Sequence, residues 1–218
     1  MTMTEWHSRK YWQNRPVQER IKNARIPTRY EGKNLENYDV DCGDSVAHDA
    51  VSLWASKFNN NVSDGMGLLL YGPTGVGKTH LAQGALLDVV TNYNRSGIFI
   101  SADRYVDMIY DEMRNDGELP EPYADPYLLK YMRRVFDVVV IDGLGDERAK
   151  TEFAKSSLIA LIDNRYEEKL VTIITTMLSP KDIGRIYGSR TASMIEESMF
   201  FIFVEGSDYR VASKHARQ

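Results

Sequence analysis

Cysteine is almost missing from this chain: Cys42 is the only one among 218 residues. A single thiol excludes an intrachain disulfide and a cysteine-rich zinc centre. The four histidines do not make up for it. His48 and His80 fall in helical stretches without metal-ligand partners at usable spacing, and His7 and His215 stand near the two ends of the sequence, so no zinc is expected. Ser/His/Asp or Cys/His catalysis has no support either, because Cys42 lies in a polar stretch with no base beside it. Long apolar runs are lacking. "MFFIFV" (199–204) is strand-sized, well below the roughly 20 residues of a membrane-spanning helix. The opening "MTMTEWHSRKYWQNRPVQER" has no apolar core of a secretory signal. The expectation is a cytoplasmic chain with no membrane partner. Internal repeats and low-complexity tracts are absent as well.

Acidic charge is scarce at one end. Residues 1–33 carry eight Lys/Arg (Arg9, Lys10, Arg15, Arg20, Lys22, Arg25, Arg29, Lys33) against Glu5, Glu19 and Glu31, a net of +5, which leaves −9 for the rest of a chain whose total is −4. A basic head on an acidic body either meets an acidic partner or is a solvated arm. Pro16 and Pro27 bracket a short helical stretch, "VQERIKNARI", and "RIPTRYEGKNLENYDV" reads as extended.

From about residue 45 the pattern becomes regular. "SVAHDAVSLWASKF" has helical spacing with Ser45 at its N-cap. Five short apolar runs then alternate with helical segments: "GLLLYG" (67–72), "GIFIS" (97–101), "FDVVVID" (136–142), "LVTIITTM" (170–177) and "MFFIFVEG" (199–206). Strands of this kind, separated by helices, predict an α/β domain with a parallel sheet covered on both faces.

The first strand runs into Gly72-x-x-x-x-Gly77-Lys78-Thr79, a Walker A pattern in its required strand–loop–helix setting. Gly72, Gly75 and Gly77 let the backbone turn its N–H groups inward around a phosphate. The helix beginning at Lys78 adds the positive end of its dipole. Lys78 is placed to reach the β- and γ-phosphates, and the Thr79 hydroxyl to ligate Mg²⁺. The expected ATP-binding set is Gly72, Pro73, Thr74, Gly75, Val76, Gly77, Lys78, Thr79 and His80. About sixty residues on, the buried strand "VVVID" ends in Asp142. An ionised carboxylate there is costly unless it meets a cation, and the Walker A magnesium supplies one. Asp142 and Thr79 are thus the expected Mg²⁺ pair. The acid that often follows such an aspartate is missing, because residue 143 is Gly. Asp146, Glu147 and, less directly, Asp103 are the acids left to position water.

The run "YGPTGVGKTHLA", the strand "VVVIDGLGDER", the block "LIDNRYEEKLVTIITTMLSPKDIGRIYGSRTASMIEE" and the ending "VEGSDYR" together resemble the DnaC/DnaI-type helicase loaders, AAA+ ATPases related to the initiator DnaA. The resemblance covers roughly residues 26–210, and ATPases of the IstB type share this core. It implies a P-loop NTPase of AAA+ type, strand order 5-1-4-3-2, with no developed C-terminal lid. It implies three parts: a basic arm over 1–40 that docks on a helicase, an AAA+ domain over 41–210 and a tail over 211–218. It places Thr175 and Thr176 on the sensor strand, where Met177 stands in place of a frequent Asn, so that the sensor role passes to Thr176 or weakens. It makes Arg190 an arginine finger acting on a neighbouring subunit in a homo-oligomer; the alternative is a surface ion pair with Glu196 or Glu197. A second arginine common in the family is replaced by Met194.

The function implied is ATP-dependent loading of a DnaB-type replicative helicase onto single-stranded DNA, with slow hydrolysis, in a compact form suited to a phage or prophage. The alternative is an IstB-like adaptor that assembles on DNA or a partner ATPase with little hydrolysis. "DPYLLKYMRRV" carries Lys130, Arg133 and Arg134 with Tyr123, Tyr127 and Tyr131 nearby. That composition suits single-stranded DNA, or else an ordinary amphipathic helix whose tyrosines pack inward.

Overall fold

The computed structural model describes residues 9–114, 127–146, 151–206 and 208. In chain order these form α1 (Arg9–Gln13), α2 (Val17–Asn23), a 3-10 turn (Thr28–Tyr30), α3 (Ser45–Ser56), α4 (Phe58–Asp64), β1 (Gly67–Tyr71), α5 (Lys78–Asn92) and β2 (Gly97–Ser101). There follow α6 (Ala102–Arg114), α7 (Leu128–Arg134), β3 (Val138–Leu144), α8 (Glu152–Glu167), β4 (Val171–Thr176), α9 (Pro180–Tyr187), α10 (Ser189–Ser198) and β5 (Met199–Phe203). All strand pairs are parallel, in the order β2-β3-β4-β1-β5, which is 5-1-4-3-2 read from the other edge.

The apolar strands divide their side chains between two cores, as a period of two requires. Leu69, Ile98, Ile100, Val139, Ile141 and Ile174 face the layer built from α6 to α10. Leu68, Leu70, Phe99, Val138, Val140 and Ile173 face α3, α4 and α5. Burial on both faces is why these strands read as continuous apolar runs rather than alternating ones.

Two local details differ from expectation. The N-cap of α3 is Asp44, one residue before Ser45: its Oδ1 accepts from Ala47 N at 2.9 Å, while its Oδ2 accepts from Glu205 N at 2.9 Å. A carboxylate with two acceptor oxygens can cap the helix and hold the segment after β5 at once. The third strand runs past Asp142 to Leu144, with a register shift between Ile141 and Leu144. Gly143 supplies the irregularity, at φ 75°.

The basic N-terminal segment, expected as an arm, lies against the body from Arg9 onward. Gln13 Nε2 donates to both carboxylate oxygens of Asp137, at 3.0 and 3.1 Å. Arg20, buried, donates from Nε and Nη2 to Val90 O at the far end of α5. Ala24 O accepts from Phe99 N at 2.8 Å, which covers part of the β2 edge. Trp12 packs on Tyr131 and Phe136.

One buried cation organises the end of the sheet where the strands begin. Arg165 on α8 is fully buried and donates to Thr172 Oγ1 and to the carbonyls of Met132, Phe136, Asp137 and Val171. Burial pulls its guanidinium down to about 9, with Asp137 opposing that, so it remains charged at neutral pH. Arg165→Leu would remove the guanidinium's donors from these buried carbonyls, of which Asp137 O keeps a bond from Val171 N at 3.1 Å. We expect a loss of about 3 kcal/mol or more of stability, read as a lowered denaturation midpoint with unchanged slope.

Candidate nucleotide-binding site

The loop between β1 and α5 stands at the end of the sheet where the strands finish, the usual ligand edge of open α/β folds. Gly72, Gly75 and Gly77 all have positive φ, at 145°, 83° and 103°. Gly72 also meets a close approach: a Cβ there would lie 2.1 Å from Val204 O, so the chain leaving β5 passes directly over it. Pro73 and Thr74 are exposed at the loop tip, whereas Val76 is 2% exposed and anchors the loop in the core. Lys78 opens α5 as a buried side chain. Its Nζ donates to Gly72 O at 2.8 Å and to Pro73 O. The ammonium is therefore held inside the loop, beside a helix N-terminus that has no side-chain cap.

Beneath the loop, three side chains from three elements meet. Thr79 Oγ1 donates to Asp142 Oδ1 at 2.8 Å, and Thr175 Oγ1 donates to the same oxygen at 2.7 Å. Thr175 Oγ1 in turn accepts from Gly143 N at 2.9 Å. A hydroxyl and a carboxylate in this contact are hard oxygen donors of the kind Mg²⁺ takes. A loop of three glycines at positive φ and a buried lysine complete a set that fits a nucleoside triphosphate. Thr79 and Asp142 would hold the metal, and Lys78 with the loop would hold the phosphates. The metal's contribution when bound is to neutralise charge on the phosphates.

Strand β4 splits its two threonines. Thr175 touches Asp142. Thr176, 1% exposed, donates to Leu144 O at 2.6 Å and accepts from Leu178 N at 3.0 Å, so its hydroxyl is taken up by backbone. Met177 is 50% exposed.

The region around position 143 explains the absent acid. At φ 75° a side chain there is strained, and its Cβ would lie 3.5 Å from Asp146 Oδ2. Asp146 folds back through a turn in which its N–H donates to Gly143 O at 3.0 Å. The Asp146 carboxylate thus borders the space where an acid at 143 would start. Asp103 opens α6 just after Ser101, which pairs in register with Asp142. Glu147 lies outside the described residues.

His80 belongs to a different contact. Its Nε2 donates to Asn34 O at 3.0 Å, and its ring meets Tyr38 edge-on at 5.2 Å. Burial lowers its pKa, which favours the neutral ring with the proton on Nε2. Gln83, one turn further along α5, donates to Tyr30 O at 2.6 Å and Lys33 O at 3.1 Å. Together they clasp the lead-in segment onto the helix that follows the phosphate loop. Tyr38 sits in that segment against Gly77 and stacks on His48 at 5.4 Å. Nothing in the spacing of Gln83 or Tyr38 marks them beforehand, because their partners are carbonyls some fifty residues away or a neighbouring ring.

Arg190, at the start of α10, is exposed and pairs with Asp163 Oδ1 at 3.3 Å rather than with Glu196 or Glu197; Glu197 accepts instead from Tyr166 OH. The cations of α7 are far from the phosphate loop, since α7 leads into the start of β3 and Asp142 lies near its finish. Lys130 is exposed, Arg133 donates to Tyr105 OH at 3.1 Å, and Arg134 donates to Asn164 Oδ1. Tyr131 is 3% exposed and packs inward; Tyr123 lies outside the described residues. Among the described residues no group of three or more His, Cys, Asp or Glu side chains could hold a metal by itself, and no helix is long and apolar enough to cross a membrane.

Fold and site together define a P-loop ATP-binding protein of AAA+ type. Comparison with known proteins places it more narrowly: the chain belongs to the IstB-like ATP-binding protein family, whose profile matches residues 4–197. An ATP-binding protein of insertion sequence IS21 from Pseudomonas aeruginosa is 27% identical, over 96% of this chain and 74% of its own length. An insertion-sequence ATP-binding protein of Sinorhizobium fredii is 28% identical over 73% of this chain, and this chain spans about half of it, 49%. Among solved structures, the DnaC helicase loader superposes with a TM-score of 0.69 at 26% identity, over 82% of this chain and 100% of that one. DnaI superposes at 0.62 with 20% identity, over 85% and 95% of the two chains. The initiator DnaA, bound to AMPPCP and single-stranded DNA, superposes at 0.64 with 19% identity, over 86% and 55%. The last two likenesses concern the fold alone.

Proposed function

We propose that this protein is an ATP-governed loader that brings a replicative helicase of DnaB type to single-stranded DNA, and that it hydrolyses ATP slowly to reset. The observation that carries the ATP part is the contact of Thr79, Thr175 and Asp142 beneath the phosphate loop. When Mg–ATP binds, the Thr79–Asp142 hydrogen bond would give way to the metal, and Thr175 would keep the aspartate oriented. Because Thr175 also accepts from Gly143 N, a shift of Asp142 is passed to the turn that bears Asp146. Asp146, or Glu147 beyond it, is the acid we assign to water positioning. Arg190 is the residue we assign to a neighbouring subunit's phosphates, released from Asp163 on assembly. The loader reading draws on the likeness to DnaC, which spans the whole of that solved chain.

A second reading is favoured by the two insertion-sequence relatives. In it, ATP is an assembly ligand, and the protein is an adaptor for a transposition complex. One experiment separates the two: affinity capture of a purified replicative helicase by the whole chain with ATP, with ADP and without nucleotide. ATP-dependent capture that is lost in Lys78→Ala supports the loader. No capture in any nucleotide state, together with ATP-dependent self-assembly on DNA, supports the adaptor.

A further inference from the structure

Two basic features that stand more than a hundred residues apart in the sequence are joined in the fold. Trp12 of α1 meets Tyr131 of α7 at 5.6 Å and Phe136, just beyond α7, at 5.3 Å. Gln13 is tied to Asp137 in the same place. The aromatic contacts continue outward on both sides, to Tyr11 at 5.4 Å from Trp12 and to Tyr127 at 6.1 Å from Tyr131. Tyr127 is 38% exposed, Tyr11 is half-buried, and Arg15 lies over the Tyr11 ring at 4.2 Å.

Exposed cations accompany this row: Arg9 and Lys10 on α1, Lys130 and Arg134 on α7. Among the described residues, Arg9, Lys10 and Lys130 form no ion pair, and Arg134 rests on the neutral amide of Asn164. Two acids that border this face are engaged on the body. Asp137 is buried and accepts from Gln13 and Ser96, with Arg95 at 3.7 Å; Glu19 pairs with Arg15. Arg9, Lys10 and Lys130 thus present charge on this face that no described carboxylate pairs with.

We propose that the joined face of α1 and α7 is a binding surface for single-stranded nucleic acid. The four cations would take backbone phosphates, and the half-open tyrosines at its ends would take bases by stacking. The surface lies at the end of the sheet where the strands begin, opposite the phosphate loop. It can hold a strand without competing with ATP. The inference rests on the reading that the protein works on DNA, but on neither partner named for it.

The test is fluorescence anisotropy of a labelled oligothymidine with the whole chain, across a salt series, for the unaltered protein and for a Lys10→Glu/Lys130→Glu/Arg134→Glu variant. All three side chains are at the surface, and ATP binding by the variant serves as the control for folding. The unaltered protein should bind with affinity that falls steeply as salt rises. The variant should bind about 100-fold more weakly or worse at low salt, with a salt slope shallower by about 0.7 for each phosphate it no longer neutralises. Tyr127→Ala alone should weaken binding by about fivefold or more. Equal affinity in variant and parent, salt-independent affinity, or no binding by the parent would each overturn the assignment. Helicase capture, measured in parallel, keeps the two proposals apart. Loss of capture with intact oligothymidine binding would put an acidic protein on this face instead. Intact capture with lost oligothymidine binding would leave the loader reading standing and support the surface.

Discussion

Lys78→Ala is expected to weaken ATP binding by at least about 100-fold, because the missing ammonium takes with it charge-assisted hydrogen bonds worth roughly 1.5–3 kcal/mol each. The same change should leave the fold intact. Lys78 is buried at the first position of α5, where the helix dipole is already positive, and its ammonium donates to the carbonyls of Gly72 and Pro73 in the same loop. Losing those two donations is opposed by removing a desolvated cation from the positive end of α5, so the thermal midpoint should change little. Isothermal titration with Mg–ATP and a melting curve on the same sample check both halves. Binding within a fewfold of the parent would remove the phosphate-loop assignment. Lost binding together with a collapsed melting transition would mean that Lys78 serves the fold instead.

The second large effect is expected at Asp146. Asp146→Asn should reduce single-turnover hydrolysis by about 10²–10⁴-fold, the usual consequence of removing a group that handles the proton of attacking water. ATP affinity should change little, since Asp146 is exposed and is not in the contact of Thr79, Asp142 and Thr175. The complementary variant, Gly143→Glu, puts an acid at the position where related sites carry one. It should not create a fast ATPase. A non-glycine residue at φ 75° is strained by about 1–2 kcal/mol, and its Cβ would start 3.5 Å from the Asp146 carboxylate. A lowered melting point with no gain in turnover is the expected result. A large gain would show that the backbone tolerates the acid and that Asp146 is a bystander.

These variants also mark what could be read from sequence and what could not. The phosphate loop was legible because its chemistry demands fixed spacing: glycines where the backbone turns inward, lysine and threonine where the helix begins. Five apolar runs of strand length marked a parallel sheet, and its strand order came with the resemblance alone. Position 143 was legible only as a missing acid. That the backbone is left-handed there, with the third strand running on past Asp142, depends on a register shift against β4 that no local pattern encodes. The two threonines of β4 were indistinguishable by composition. The one whose hydroxyl reaches Asp142, Thr175, is fixed by the turn of the strand opposite it, and Thr176 is given over to Leu144 and Leu178. The N-terminal segment could not be placed for a different reason. Its charge left an acidic partner and a solvated arm both open, whereas Gln13 finds Asp137, 124 residues away, and Arg20 finds Val90, 70 residues away. Contacts at that separation leave no periodicity to read.

Mg²⁺ dependence of ATP binding tests the central claim most directly. The claim is that Thr79 and Asp142, brought within 2.8 Å of one another, form the metal side of an ATP site. Titrating the whole chain with ATP, in magnesium and then in excess chelator, should give saturable binding that weakens markedly when the metal is removed, with Asp142→Asn abolishing the difference. Binding that is indifferent to magnesium, or a metal effect that survives in Asp142→Asn, would contradict it.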